Sequence, residues 1–177
     1  MTYTAMNGIY TALVTPFRDD ESIDFDAAGQ LVEDQVSAGI AGLVVGGSTG
    51  EFAAMSLQER EELTGHVSEV ASGRAEIVVG LGSVRTADSV RLAEHALSLG
   101  AQSGLLVMPY YEPLSEPELS TFVSNVAAVG LPIMIYNNPG GTGEMLSPRF
   151  LAELSNIPNV VGVKDTTPEP NRLFAID

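Results

Sequence analysis

The sequence predicts an α/β fold built around a parallel sheet, and three observations carry that prediction. Short apolar runs rich in β-branched residues recur about every 30 residues, the length of one strand, one helix and their loops. Each run is apolar at both alternating sets of positions, as in strands covered on both faces. Between the runs lie segments with helical periodicity, several of them opened by a capping residue.

The predicted strands are residues 8–14 (GIYTALV), 42–45 (GLVV), 76–81 (EIVVGL), 104–108 (GLLVM), 132–136 (PIMIY) and 160–164 (VVGVK). The first helix is expected over 26–38, where Leu31, Val32 and Val36 fall near helical spacing. Ser56 and Glu59 form a capping box that opens a helix running to about Ala71. Thr86 precedes a helix holding Val90, Ala93 and Leu97, and Gly100 stops it. Ser115 and Glu118 make a second capping box, and Ser147-Pro148 sets a cap before a proline at the first helical position. A last helix is expected to begin near Pro170. The result is six βα units across 1–177, a single domain without a linker or low-complexity stretch. Two architectures fit this alternation. A doubly wound sheet closes within the length available, whereas an eight-stranded barrel takes about 250 residues.

Composition narrows the function classes. The chain carries 23 acidic and 8 basic residues, a net charge of −15. So acidic a surface argues against nucleic acid and against anionic membranes as partners. There is no cysteine, so disulfides, thiolate metal sites and thiol catalysis are excluded. Residues 1–7 (MTYTAMN) lack the basic and apolar regions of a secretory signal, and no apolar run is long enough to span a bilayer, so the expected compartment is the cytoplasm. His66 and His95 lie on separate predicted helices without a ligand partner nearby, so no metal is expected.

Four places carry candidate chemistry. Lys164 is the only lysine, at the C-terminal end of the sixth predicted strand. Strand alternation sets Gly162 on its face, leaving room beside the stem, and valines 160, 161 and 163 are expected to supply apolar surroundings. A lysine amine attacks a carbonyl in its neutral form, which apolar surroundings favour; the plainer alternative is a strand-end lysine reaching out to solvent. Gly46-Gly47-Ser48-Thr49-Gly50-Glu51 follows the second strand, and its glycines and hydroxyls suit a small anion nest for a carboxylate, or else a tight βα turn. Tyr136 ends the fifth strand, where its phenol can relay a proton or serve as a core tyrosine. Tyr110-Tyr111 follows the fourth strand and fits loop or interface packing equally well.

Taken in order, TALVTPF (11–17), GGSTGE (46–51), PYY (109–111), YNNP (136–139) and GVKDTT (162–167) resemble the dihydrodipicolinate synthase / N-acetylneuraminate lyase family. The resemblance covers essentially the whole chain. It implies a TIM (β/α)8 barrel, here incomplete, with about six βα units and strands seven and eight absent. It also implies a homotetramer for the full-length protein and a class I aldolase-type mechanism without a cofactor. By resemblance, Lys164 forms the Schiff base with pyruvate or another 2-keto acid, and Tyr136 is the proton relay. Ser48 and Thr49, with Gly47, hold the keto acid's carboxylate, and Thr49 also belongs to the relay. Tyr111 resembles the tyrosine that dihydrodipicolinate synthases lend across a subunit interface.

One departure bears on the substrate. Where dihydrodipicolinate synthases carry an arginine two residues after the YNxP proline, this chain has Gly141. The resemblance therefore points to aldol cleavage, condensation or dehydration of keto-deoxy sugar acids. The alternatives are 4-hydroxy-tetrahydrodipicolinate synthase, and a catalytically incompetent fragment or binding half-barrel.

Overall fold

The computed structural model describes residues 5–172 and Ala175. Six parallel strands are joined in chain order: β1 (Tyr10–Ala12), β2 (Gly42–Val45), β3 (Glu76–Gly80), β4 (Ser103–Val107), β5 (Ile133–Asn137) and β6 (Val160–Asp165). A doubly wound sheet reverses its strand order at a switch point. This sheet does not, because each strand pairs with the next. The choice left open by periodicity therefore falls to the barrel: the sheet is a curled six-stranded part of one, with β1 and β6 as its edges.

Helices α1 (Phe25–Ser37), α2 (Leu57–Ala71), α3 (Thr86–Ser98), α4 (Glu116–Ala127), α5 (Pro139–Thr142) and α6 (Pro148–Leu154) lie between the strands. The main core forms where the helices meet the sheet, around Leu43, Val79, Leu106 and Ile135 from the strands and Leu63, Phe122 and Phe150 from the helices. Burial of each such side chain stabilises the fold by about 1.5–3 kcal/mol. The other strand face holds a smaller cluster of Val78, Leu105, Val107 and Tyr136, with Tyr10, Val44 and Met134 beside it. This inner face carries the site.

Capping explains several helix starts. Both capping boxes are formed, Ser56 with Glu59 and Ser115 with Glu118. Ser147 accepts from the Phe150 N–H ahead of Pro148. Asp24, which the apolar pattern did not single out, caps α1 through the Ala27 N–H.

The structure corrects two expectations, adds one short element and describes only the start of another. β1 is three residues long rather than seven; Gly8, at φ 102, turns the chain away before it. Thr86 is the first residue of α3, not its cap; Arg85 stands at the cap position, and the Ser83 hydroxyl accepts its N–H at 3.2 Å. The short helix α5 falls in a glycine-rich stretch without helical periodicity. The helix expected from Pro170 begins as a single 3-10 turn, Pro170–Arg172, and most of the chain after that turn lies outside the described residues.

Candidate active site

Lys164 and Tyr136 are direct partners in the β5–β6 register. Both project from the inner face at the C-terminal ends of their strands, and Lys164 Nζ stands 4.1 Å from the centre of the Tyr136 ring. Tyr136 is buried against Val78, Leu105 and Val107, and Lys164 is half-buried. Gly162 shares the lysine's face, and only the tip of Met134 comes near the place a side chain there would fill. The apolar surroundings differ from those expected. Val160 and Val163 pack into the helix-side core, behind the sheet from the amine. The aromatic face of Tyr136 takes their place, and a cation is attracted to such a face.

The loop after β2 closes on itself. The Gly50 N–H donates to the Gly47 carbonyl at 3.0 Å, and the Glu51 N–H donates to the Ser48 carbonyl at 3.1 Å. Gly46 takes φ 63, a left-handed conformation that costs glycine little. Thr15, just beyond β1, donates its hydroxyl to the Gly50 carbonyl at 2.7 Å. Gly80, ending β3, is where the loop rests on the sheet: a Cβ there would overlap the Gly46 carbonyl. The segment is thus a tight βα turn, and it leaves two hydroxyls, Ser48 and Thr49, exposed at the C-terminal end of the sheet.

A cavity of about 370 Å³ opens beside this loop, lined among others by Ser48, Glu51, Phe52, Val107, Tyr110 and Asn138. Of the residues given a role by the family resemblance, Ser48 alone lines it; Gly47, Thr49, Tyr111, Tyr136 and Lys164 do not. Val107 joins the cavity to the lysine, because it pairs with Tyr136, which pairs with Lys164. Neighbouring strands lie about 4.8 Å apart, so these three positions stand side by side. Tyr110 packs edge-on against Phe52 at 5.9 Å between ring centres. Tyr111 is 81% exposed.

Sequence reasoning passed over two groups that build the site. Arg60 is 5% exposed. It donates to the carbonyls of Gly80 and Gly82, each at 2.8 Å, and its guanidinium lies 5.0 Å from the Phe52 ring centre. Burial pushes its pKa down to about 10, against the pull of Tyr110 and Asp88, so it stays charged at neutral pH. Among the described residues no carboxylate forms an ion pair with it. It therefore ties the end of β3 to the Phe52–Tyr110 wall of the cavity. A signal was present: Arg60 falls on the α2 face that buries Leu63, Thr64, Val67 and Ala71. The second group, Asn137, Asp165 and Arg172, gives no local signal, because its members meet only across β5, β6 and the turn after β6.

The Dihydrodipicolinate synthetase family matches residues 5–176. The chain belongs to this family. An N-acetylneuraminate lyase from Rhizobium meliloti is 41% identical over 172 residues, 97% of this chain and 57% of that protein. A 4-hydroxy-tetrahydrodipicolinate synthase from Xanthomonas axonopodis pv. citri is 40% identical over 173 residues, again 97% of this chain and 57% of that protein. The crystal structure of dihydrodipicolinate synthase from Acinetobacter baumannii complexed with pyruvate superposes with a TM-score of 0.93 at 34% identity, covering 97% of this chain and 60% of that one. The chain thus spans less than two thirds of the length of these relatives.

The glycine at position 141 lies under the side chain of Asn138, so that a Cβ on Gly141 would come 2.6 Å from Asn138 Nδ2. Thr166 Oγ1 lies 3.3 Å from Asn138 Oδ1, which the hydroxyl supplies with a donor. Position 141 lines the cavity without contributing a side chain to it.

Proposed function

We propose that this chain carries the Schiff-base portion of a 2-keto-acid lyase, with Lys164 as the nucleophile. The observation behind this reading is the pairing of Lys164 with Tyr136, Nζ 4.1 Å from the ring centre, on the inner face at the C-terminal end of the sheet. That is the end where barrel enzymes assemble their catalytic groups. The pyruvate bound in the Acinetobacter relative supports a keto acid as the ligand.

The amine attacks C2 of pyruvate to form a carbinolamine, and loss of water leaves a protonated imine. The imine draws electrons from the neighbouring carbon, so that a bond to that carbon breaks or forms without a metal or cofactor. Hydrolysis then frees product and lysine. In this reading the Tyr136 phenol carries the proton to and from the carbinolamine, and Thr49 shares in that relay. Ser48, Thr49 and Gly47 hold the carboxylate. Tyr111, exposed here, completes the relay in a second copy within a homotetramer of the full-length protein. A cytoplasmic site fits the same reading.

The reaction class is cleavage, condensation or dehydration of a keto-deoxy sugar acid. The synthase reading has the Xanthomonas relative in its favour. Against it, position 141, where such synthases carry an arginine, lines the cavity as a glycine and supplies no guanidinium for the aldehyde's carboxylate.

The test is borohydride trapping. The chain is incubated with pyruvate, reduced, digested and mapped by mass spectrometry. An adduct on Lys164, absent without pyruvate and absent from Lys164→Ala, is expected. No adduct from folded protein would sink the lyase reading of this chain and leave a binding half-barrel. Aspartate semialdehyde then competes with sugar-derived aldehydes as the second substrate, and turnover of it alone would favour the synthase.

A further inference from the structure

Lys164 acts only if β6 keeps its register. Side chains alternate faces along a strand, so a slip of one residue would turn the lysine to the wrong side of the sheet. Among the described residues β6 pairs with β5 alone, and every one of its residues is half-buried. The β5–β6 ladder itself is irregular. Ile133 pairs with Val160, but Met134 pairs with Gly162, so the register shifts at the base of the pair. Above that shift the ladder runs evenly, from Met134 opposite Gly162 to Asn137 opposite Asp165, so contacts in this stretch hold the lysine's register.

One residue beyond the lysine, Asn137 and Asp165 are also register partners. Their side chains leave the sheet on the face opposite Tyr136 and Lys164. Asn137 is 1% exposed. Its Nδ2 donates to Asp165 Oδ2 at 2.9 Å, and its Oδ1 accepts from the Leu146 N–H at 3.0 Å. The other Asp165 oxygen accepts from the Thr167 N–H at 2.8 Å. Arg172 donates to the Leu146 carbonyl and brings Nε within 3.5 Å of Asp165 Oδ2. Four segments are joined this way: the ends of β5 and β6, the approach to α6 and the turn after β6.

We propose that Asn137, Asp165 and Arg172 form a register clamp that holds Lys164 opposite Tyr136. They are positioning residues, since they bond to one another and to the backbone of neighbouring loops. The proposal rests on Lys164 being the reactive amine, but its test does not need pyruvate. Lys164 is the only lysine in the chain. Its rate of labelling by trinitrobenzenesulfonate, mapped by mass spectrometry, therefore reports the setting of one side chain.

Asn137→Asp sets two carboxylates face to face and should raise Lys164 labelling about tenfold. Adding Asp165→Asn reverses the pair, restores one cross-strand donor and acceptor, and should return labelling to within about twofold of the parent. Pyruvate trapping is measured on the same proteins and should move in the opposite sense. Far-UV circular dichroism confirms that each is folded. If Asn137→Asp does not fold, the reversed pair and Arg172→Ala carry the test: the first must label like the parent and the second faster. Folded Asn137→Asp that labels like the parent, or a folded reversed pair that stays fast, overturns the clamp. A parent chain that forms no pyruvate adduct while labelling follows the expected pattern overturns the lyase reading and leaves the clamp standing.

Discussion

A buried carboxylate lacking partners would hold its proton more tightly than usual. Asp165 does the reverse: burial raises its pKa, but hydrogen bonds from Thr167 and Asn137, with the charge of Arg172, outweigh that and hold it below the ordinary 3.8. A carboxyl with a depressed folded-state pKa stabilises the protein fully above its unfolded value. That contribution is lost as pH falls through the folded value. Wild type should therefore exceed Asp165→Asn in urea midpoint at pH 7, and the gap should narrow as the pH is lowered through the carboxylate range. An equal gap at both ends of that range would mean that the charge adds nothing beyond the side chain's shape. At this scale the sequence was readable where chemistry is local. Lys164 stood out as a lone lysine ending a strand, and Ser48 and Thr49 as hydroxyls in a glycine turn. Asp165 and Asn137 each adjoined a residue already singled out, yet neither showed that it faces the other, because a cross-strand partner depends on register.

Elements were legible to the extent that their ends carry their own chemistry. Ser56 and Ser115 announce α2 and α4 because the cap bonds lie within four residues. Arg85 before α3 does not, since the polar group that serves it, Ser83, lies outside any cap pattern. Arg60 was hidden for a related reason. Its partners, the carbonyls of Gly80 and Gly82, lie 20 and 22 residues away on the next strand and its loop. Two glycines show how the same residue type means different things. Gly80 ends β3 where the Gly46-Gly47 turn rests on it, and a methyl there would overlap the Gly46 carbonyl. Gly65 lies within α2 with open space where a Cβ would go. Gly80→Ala is expected to cost about 1–3 kcal/mol and, by moving the turn that presents Ser48 and Thr49, to weaken pyruvate trapping. Gly65→Ala should instead stabilise by about 0.4–1 kcal/mol and leave trapping unchanged. Urea melts of the two variants provide the check. Equal effects would mean that the turn does not depend on contact with β3.

At the scale of the whole molecule two forces oppose each other. Within this chain β1 and β6 are sheet edges, and such edges invite pairing with another strand. The inner face between them carries Tyr10, Val44 and Met134, none fully buried. Both features favour association of the isolated chain. The net charge of −15 opposes it, because like-charged chains repel at long range. That repulsion reaches about 30 Å at 0.01 M salt and only about 3 Å at 1 M, whereas edge pairing and apolar contact act at short range and survive salt. The mass of the isolated chain measured by light scattering should therefore rise as salt is raised across that range. A variant on β1 tests whether the edge is responsible. Leu13, next to Ala12, donates its N–H to the Val44 carbonyl on β2 at 3.0 Å. Main-chain groups alternate sides along a strand, so the Ala12 N–H points away from β2, towards the open edge. Ala12→Pro removes that outward donor without touching the β1–β2 ladder and should blunt the rise, provided circular dichroism shows the sheet intact. A mass that stays monomeric across the range, with one cooperative melt, would mean that the six-stranded sheet satisfies its own edges. A mass that falls with salt would place the association in charge pairs between chains instead of in the sheet.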